Sequence, residues 1–284
     1  MCELLALSSS RPAQLTFSLQ RLASHGDMRG GSPDGWGVAF CSGHDVALFR
    51  EPAPAASSSL VRYLEDHGPR TQLAISHIRH ATRGPVNLAN TQPFVRELGG
   101  RTHVFAHNGD LPGIWGSANL SLDAHHPVGE TDSEQAFCAL LARLRELWSG
   151  TGLPPLDERF SLVNAFAAEL RTLGPANFLY TDGEVLFAHG HRRKTLPGGS
   201  VEAPGLWLLQ RYCADTDTAS NPVNAVSIGG GGQSVVMLAS VPLTPDAWRS
   251  LNHGEIVVVR DGVVVTPGAS ATGVSTSQDC LRSG

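Results

Sequence analysis

The spacing of hydrophobic residues predicts four helices in the first two thirds of the chain. Leu15, Leu19 and Leu22 recur at the interval that places side chains on one face of a helix. The last of the four segments ends before Gly174-Pro175, a pair that is typical of a helix C-terminus. The predicted helices cover residues 12–25, 59–67, 132–148 and 157–173.

Short apolar or alternating runs predict strands before and after the two long helices. Two of these runs flank Ser42, Gly43 and His44, so we expect them to form a hairpin. Groups of strands around long helices favour an α+β fold, in which sheets pack face to face with helices outside. The predicted strands cover residues 2–8, 36–41, 45–50, 72–78, 103–107, 177–182, 184–190, 205–211, 234–241, 255–260 and 262–266.

Charge and composition exclude several classes of protein. The 284 residues carry a formal net charge of −5 and no Lys/Arg run, which argues against binding to nucleic acid. No segment approaches the roughly 18 uninterrupted apolar residues of a membrane helix. The N-terminus lacks the basic region of a signal peptide. We therefore expect a cytoplasmic protein with no membrane association.

The cysteines do not form a recognisable disulfide or zinc pattern, because they are odd in number and contain no Cys-x-x-Cys pair. Three of them lie in apolar patterns and are interpreted as core residues, whereas Cys280 lies in the polar C-terminal segment. The five are Cys2, Cys41, Cys138, Cys213 and Cys280.

Cys2 is the first candidate for chemistry. Removal of Met1 would give Cys2 a free α-amino group beside its own thiol. An α-amine has a pKa of about 7.7–8.0 and a thiol about 8.5, so the two groups can exchange a proton near neutral pH. Such a residue carries both a nucleophile and its base. The alternative reading of Cys2 is a small buried residue at the start of a strand.

Four polar clusters border the predicted strands and helices. Each has an ordinary structural explanation: Asn108-Gly109 is a favourable turn pair, and Thr131 with Glu134 forms a helix capping box. The clusters are DGWG at 34–37, HIRHATRG at 77–84, AHNGD at 106–110 and GETDSE at 129–134.

Taken in order with N-terminal Met-Cys and with NTQPF at 90–94, these clusters resemble the glutaminase domain of class II glutamine amidotransferases. They are most similar to a stand-alone bacterial subfamily that includes the γ-glutamyl hydrolase of ergothioneine synthesis. The resemblance covers residues 2–266, which it implies to be one domain. The family fold is the N-terminal-nucleophile hydrolase sandwich, with four αββα layers and two antiparallel sheets. The remaining residues, 267–284, are predicted to be a disordered tail.

The resemblance implies a catalytic role for three residues. Cys2 matches the nucleophile, whose own α-amine acts as general base and then as general acid. Asn108 and Gly109 match the oxyanion hole, in which the side-chain N–H of Asn108 and the backbone N–H of Gly109 face the tetrahedral intermediate.

The resemblance also implies the residues that hold the substrate. Arg79 matches the arginine that binds the substrate α-carboxylate, for which a planar guanidinium is well suited. Thr82 matches a residue of the same pocket, and Asp132 matches the carboxylate that pairs with the substrate α-ammonium. Two positions depart from the family pattern. Gln92 stands where His is usual, and His80 stands where related domains often carry Trp.

The implied reaction is hydrolysis of the γ-glutamyl amide of glutamine or of a γ-glutamyl compound through a thioester on Cys2. It releases glutamate with ammonia or an amine, and it requires no metal or organic cofactor. No acceptor domain is visible in the sequence. The leaving group is therefore either ammonia, which could feed a separate synthase subunit, or a larger amine, and the residues do not rank these alternatives.

Two other classes of function compete with this interpretation. A metal-dependent hydrolase could take ligands from His77 with His80, from His103 with His107 or from His125-His126. Strand geometry places His103 and His107 about 13 Å apart, too far for one zinc ion. A non-catalytic sensor of amino acids could be derived from a glutaminase domain. The presence of the complete set of matched residues argues against the sensor.

Overall fold

The computed structural model describes residues 2–17, 34–194, 199–213, 226–229 and 232–268. The predicted tail, apart from Pro267 and Gly268, lies outside the described residues, as does Cys280.

Among the described residues, strands outnumber helices. The helices are α1 (Ser59–His67), α2 (Asp132–Leu144) and α3 (Leu156–Leu173). Single 3-10 turns occupy Ala55–Ser57, Ile114–Gly116 and Leu147–Ser149. The strands are β1 (Glu3–Phe17), β2 (Gly35–Ser42), β3 (Asp45–Glu51), β4 (Arg70–Arg79), β5 (Phe94–Leu98), β6 (Arg101–Gly109), β7 (Ala176–Thr181), β8 (Leu186–His189), β9 (Arg193–Lys194), β10 (Val201–Glu202), β11 (Trp207–Cys213), β12 (Val226–Gly229), β13 (Gln233–Ala239), β14 (Arg249–Ser250), β15 (Ile256–Arg260) and β16 (Val263–Val265).

These strands form two large antiparallel sheets. The first has eight strands in the order β14-β11-β13-β1-β4-β2-β3, with β12 also paired to β1. The second has six strands in the order β16-β15-β8-β7-β6-β5. The short strands β9 and β10 pair with each other. In the first sheet β1 is central, lying between β13 and β4.

Side chains along each strand point alternately to the two faces of its sheet, so the buried apolar residues form three separate layers. On β1, Leu4 points between the two sheets, whereas Leu5 points to the outer face of the first sheet, where α1 packs. Phe105 and Phe178 face outward from the second sheet and contact the side chains of α2 and α3. The predicted αββα order of layers is confirmed. The two sheets pack against each other through their inner faces, and helices pack on the outer face of each sheet.

The long helices begin and end close to the predicted positions. Thr131 caps α2 by accepting a hydrogen bond from the N–H of Glu134 over 3.2 Å. This helix ends at Leu144, earlier than predicted, and a separate 3-10 turn carries Trp148 into the core. The predicted hairpin is confirmed, since β2 and β3 pair around Gly43.

The predicted helix over residues 12–25 is wrong in its first half. β1 continues through Phe17, and Gln14 to Phe17 pair with Gly229 to Val226 of β12. An irregularity after Ser8 lets the strand bend before this second pairing. The partner strand lies more than 200 residues away in the sequence, so the local leucine spacing could not reveal it. Residues 18–25 lie outside the described residues.

Candidate active site

Cys2 stands immediately before β1, at the end of a central strand. Its thiol is free, and the backbone N–H of His80 donates a hydrogen bond to Sγ over 3.3 Å. Burial raises the pKa of the Cys2 thiol, while the N–H of His80 favours the thiolate and opposes this rise only in part. The resting thiol is therefore protonated at neutral pH.

The first residues of β1 are held from both sides, which fixes the position of Cys2. The N–H of Leu4 donates to Ser240 Oγ over 2.9 Å, and the N–H of Ser240 donates to the carbonyl of Leu4 over 3.0 Å. The buried carboxylate of Glu3 pairs with the buried guanidinium of Arg193 at 2.7 Å. The nucleophile candidate thus sits on a rigid element rather than on a free chain end.

Asn108 and Gly109 end β6 beside Cys2. Nδ2 of Asn108 donates a hydrogen bond to the backbone carbonyl of Cys2 over 2.7 Å. The two residues continue the strand pairing with β7 rather than form the turn that the Asn-Gly pair favours, and the carbonyl of Asn108 accepts from Nδ2 of Asn177 over 3.0 Å. A Cβ at position 109 would lie 1.8 Å from the carbonyl oxygen of Pro175, so only glycine fits there.

Arg79 ends β4, and its guanidinium is almost completely buried. Nη2 donates to the carbonyls of Arg83 and Gly84, at 2.9 and 3.2 Å, and so shapes the loop that follows the strand. Nη1 is buried and has no hydrogen-bond partner among the described residues. A buried guanidinium nitrogen with unused hydrogens is an available donor for an anion. Thr82, in the same loop, is exposed.

Asp132 is the first residue of α2 and is 5% exposed. Its Oδ2 accepts from the N–H of Leu111 over 2.7 Å, and its Oδ1 accepts from the N–H of Ser133 over 2.9 Å. Oγ of Ser133 also donates to Oδ1 over 3.4 Å, so Oδ2 is the oxygen that keeps capacity for a ligand cation.

A cavity of about 390 Å³ brings four of the six predicted site residues together. This volume lies within the range typical of small-molecule sites. Arg79 and Asp132 do not line the cavity but lie behind its wall, where both are buried. The predicted residues that line it are Cys2, Thr82, Asn108 and Gly109.

Seven further residues line the cavity that the sequence motifs did not single out as site residues. Three of them are consecutive cationic residues, Arg-Arg-Lys at 192–194, so the expectation that the chain has no Lys/Arg run overlooked the one signal that the sequence offered here. For Pro175, the sequence indicated only that a helix ends before the Gly174-Pro175 pair. The seven are His80, Asp110, Pro175, Arg192, Arg193, Lys194 and Val201.

The two departures from the family pattern have different structural outcomes. Gln92 is buried and does not line the cavity. Its Nε2 donates to the carbonyl of His107, and its Oε1 accepts from the N–H of the same residue, so it bridges β6 to the segment before β5. His80 does line the cavity, and its backbone contacts the thiol of Cys2. Of the two, only His80 is placed to influence what the cavity binds.

The described part of the chain bears on the metal-dependent alternative. No group of three His, Cys, Asp or Glu side chains there is placed to hold a metal ion. No helix there is both long and apolar enough to cross a membrane. His103 hydrogen-bonds Tyr180 and His107 hydrogen-bonds Ser133, so each ring has a structural partner.

Two antiparallel sheets packed between helices, with a cysteine at the start of a central strand, define the N-terminal-nucleophile hydrolase fold. A solved structure of the glutamine phosphoribosylpyrophosphate amidotransferase from B. subtilis has this fold and covers 93% of the present chain and 48% of its own. The TM-score is 0.57 at 14% sequence identity, which shows likeness of fold alone.

Residues 1–281 match the profile of the family "Glutamine amidotransferases class-II", and the chain belongs to this family. YafJ of Escherichia coli (strain K12) is 39% identical over 257 residues, which are 90% of this chain and 96% of YafJ. The 2.0 Å crystal structure of a predicted glutamine amidotransferase from Pseudomonas aeruginosa PA01 has a TM-score of 0.64 at 29% identity, and it covers 93% of this chain and all of its own.

Proposed function

We propose that this protein hydrolyses the γ-glutamyl amide bond of glutamine or of a γ-glutamyl compound through a thioester on Cys2. The observation that supports this most directly is the placement of a free Cys2 thiol and the Asn108 amide in one cavity, at the rigid start of a central strand. Membership of the family supports a small-molecule substrate such as glutamine.

The proposed reaction begins with a chain that starts at Cys2. The α-amine of Cys2 takes the thiol proton, and the thiolate attacks the δ-carbonyl carbon of the substrate. The oxyanion accepts hydrogen bonds from Nδ2 of Asn108 and the backbone N–H of Gly109. As the carbon–nitrogen bond breaks, the α-ammonium returns the proton to the leaving amine.

A second addition completes the cycle. Water loses a proton to the α-amine of Cys2 and attacks the thioester, the carbon–sulfur bond breaks, and the sulfur regains a proton. Glutamate leaves, and Cys2 returns to its starting state. The protein supplies all of the groups in this scheme, so the proposal includes no metal or organic cofactor.

The glutamyl end of the substrate is assigned to the loop after β4 and to the start of α2. The unused Nη1 of Arg79 would bind the α-carboxylate, with Thr82 beside it. Asp132 would accept hydrogen bonds from the α-ammonium. Because Arg79 and Asp132 lie behind the cavity wall, the proposal requires the loop that contains Thr82 to shift when substrate binds.

The proposal is tested by the intact mass of the protein after exposure to a glutamine-like diazoketone. The expected product lacks Met1 and carries one adduct on Cys2, and the same preparation releases glutamate from a γ-glutamyl amide. Cys2→Ala removes the adduct and the hydrolysis but keeps a small residue at the processing site. Cys280→Ala is the matched control and retains the single adduct.

Two results would contradict the proposed function. Retention of Met1 in an active preparation would exclude the α-amine of Cys2 as the base. Binding of glutamine without release of glutamate, unchanged in Cys2→Ala, would instead support a non-catalytic sensor.

A further inference from the structure

The cavity extends beyond the nucleophile to a wall formed by residues 192–194 and Val201 of β10. None of these residues is needed by the glutamyl end of the substrate as assigned above. An ammonia leaving group would occupy little of this space and could contact few of its side chains. The composition of this wall therefore bears on which amine leaves as the thioester forms.

Arg193 anchors the wall to the start of β1. Its two terminal nitrogens pair with both carboxylate oxygens of Glu3, at 2.7 and 3.1 Å, and Nη1 also donates to the carbonyl of Ser240 over 2.6 Å. Both partners of the ion pair are buried. The positive charge of Arg193 is thus neutralised, and the wall is held beside the residue that follows Cys2.

Arg192 precedes β9 and Lys194 ends it, so the two cations lie on either side of Arg193 in the chain. Within β9, the side chains of Arg193 and Lys194 point to opposite faces. Within the described residues, neither side chain forms an ion pair with a carboxylate. Asp110, which also lines the cavity, already pairs with Arg83 at 2.8 Å. Among the residues that the structure describes, the wall therefore presents two cations with no neutralising carboxylate, in a chain whose formal net charge is −5.

Lys194 is also the only lysine in the sequence, where the other cationic side chains are arginines or histidines. It is half-buried, and its neighbour across the β9–β10 pair is Val201. The backbone of Arg192 is fixed as well, because its carbonyl accepts from Nδ2 of Asn177 over 2.9 Å. Both cations are thus carried by backbone that is held in place.

We propose that Arg192 and Lys194 bind an anionic group on the leaving amine, so that the preferred substrate is a γ-glutamyl derivative of an amino acid rather than glutamine. This inference rests on the proposed function, which places the scissile bond at Cys2. A carboxylate on the carbon next to the leaving nitrogen would accept charge-assisted hydrogen bonds from both side chains. Glutamine, whose leaving group is ammonia, cannot make these contacts.

The test compares γ-glutamylglycine with γ-glutamylglycinamide, which carry a carboxylate and a neutral carboxamide of similar size on the leaving amine. We expect kcat/KM to favour the acid by about 10-fold or more, because a hydrogen bond to a charged group is stronger than one to a neutral group. In the double variant Arg192→Gln, Lys194→Gln this ratio is expected to fall to about 1. Arg62→Gln is the matched control, because Arg62 is at an exposed position of α1 and does not line the cavity. This variant is expected to keep the wild-type ratio.

Three outcomes would overturn the inference. A wild-type ratio of kcat/KM values near 1 would show that the protein does not distinguish a charged from a neutral leaving amine. An unchanged preference in the double variant would assign the preference to other residues. An equal loss of activity in the double variant on γ-glutamylglycine, γ-glutamylglycinamide and glutamine would assign the two cations to the glutamyl end.

Binding of the same two dipeptides to Cys2→Ala separates this inference from the proposed function. The expected result is that Cys2→Ala binds γ-glutamylglycine more tightly than γ-glutamylglycinamide, and that this difference disappears when Arg192→Gln and Lys194→Gln are added. This result supports the anion subsite even if the wild-type protein shows no hydrolysis. In that case the proposed function fails while the subsite stands. Equal affinities for the acid and the amide overturn the subsite whether or not the wild-type protein is active.

Discussion

The side chain of Asn108 links Cys2 to the second sheet. Nδ2 carries two hydrogens, and one of them is donated to the carbonyl of Cys2 over 2.7 Å. The second points near Ser240 Oγ, at 3.4 Å, a distance that is too long for a strong hydrogen bond. The amide can therefore hold Cys2 and still donate to an oxyanion.

Replacing Asn108 with alanine is expected to lower kcat about 10²–10³-fold with little change in KM, because the oxyanion forms only in the transition state. Steady-state kinetics with a γ-glutamyl amide check this expectation. Asn119→Ala, at an exposed position outside the cavity, is the control with wild-type kinetics. A loss confined to KM would assign Asn108 to ground-state binding instead.

Arg79→Lys is expected to raise KM about 10-fold, because one ammonium cannot hold the loop carbonyls as Nη2 does and also donate to the substrate carboxylate as Nη1 would. The loop carbonyls are those of Arg83 and Gly84. Arg83→Lys provides a comparison in the same loop, since its pair with Asp110 is solvent-exposed and contributes little. Equal KM values for both variants would remove Arg79 from the carboxylate role.

At the scale of secondary-structure elements, the Glu3–Arg193 pair joins β1 to β9 across 190 positions of sequence. Both side chains are buried, so neither charge has water as an alternative partner. Burying such an ion pair costs free energy because both charges lose their hydration. Removing one of the two side chains then leaves the other charge buried without a partner. The contact therefore determines where the basic wall of the cavity lies relative to Cys2.

Arg193→Ala is expected to destabilise the fold by about 3–5 kcal/mol, because the Glu3 carboxylate then remains buried and unpaired. The double variant Glu3→Leu, Arg193→Met is expected to recover part of this loss, since it replaces the pair with apolar groups. Urea denaturation measures both free energies of unfolding. A double variant that is less stable than Arg193→Ala would contradict this account.

The same elements show how far the sequence could predict the molecule. Elements with strong local patterns, such as α3 and the β2–β3 hairpin, were predictable from the sequence. Apolar residues recur every three to four positions in a helix and every second position in a strand, so a short segment is enough to reveal either pattern. The second half of β1 was not, since its pairing with β12 depends on residues far along the chain. Long-range pairing is invisible to local spacing.

For the site, the motifs identified residues that the fold does bring together, including Cys2 and Asn108. They could not show that Arg79 and Asp132 lie behind the cavity wall, because this depends on loop conformation and on contacts with Gly84 and Leu111. They also left out residues 192–194, since β9 approaches Cys2 only in the folded chain.

At the scale of the whole molecule, the interior contains histidines that the fold keeps neutral. Burial lowers the pKa of His77 to about 3 and that of His103 to about 4. Burial also lowers the pKa of His189 to about 3, although its contact with the carbonyl of Ala176 opposes this shift. In an unfolded chain these groups titrate near 6.5. The unfolded state therefore binds more protons than the folded state below that pH.

Stability is expected to fall as the pH drops from about 6.5 towards 4. Each of the three histidines contributes up to about 1.4 kcal/mol per pH unit over this interval, because protonation favours the unfolded chain. Urea denaturation at pH 7, 6 and 5 measures the slope. A free energy of unfolding that stays constant from pH 7 to pH 5 would show that these histidines gain protons without unfolding.

The placement of Lys194 has a practical consequence for chemical labelling. In a chain that begins at Cys2, the α-amine of that residue and the ε-amine of Lys194 are the only primary amines in the protein. Both residues line the same cavity. Amine-reactive dyes, cross-linkers and activated sensor surfaces would therefore attach within this cavity, so immobilisation or labelling needs carboxyl-directed chemistry or an added tag.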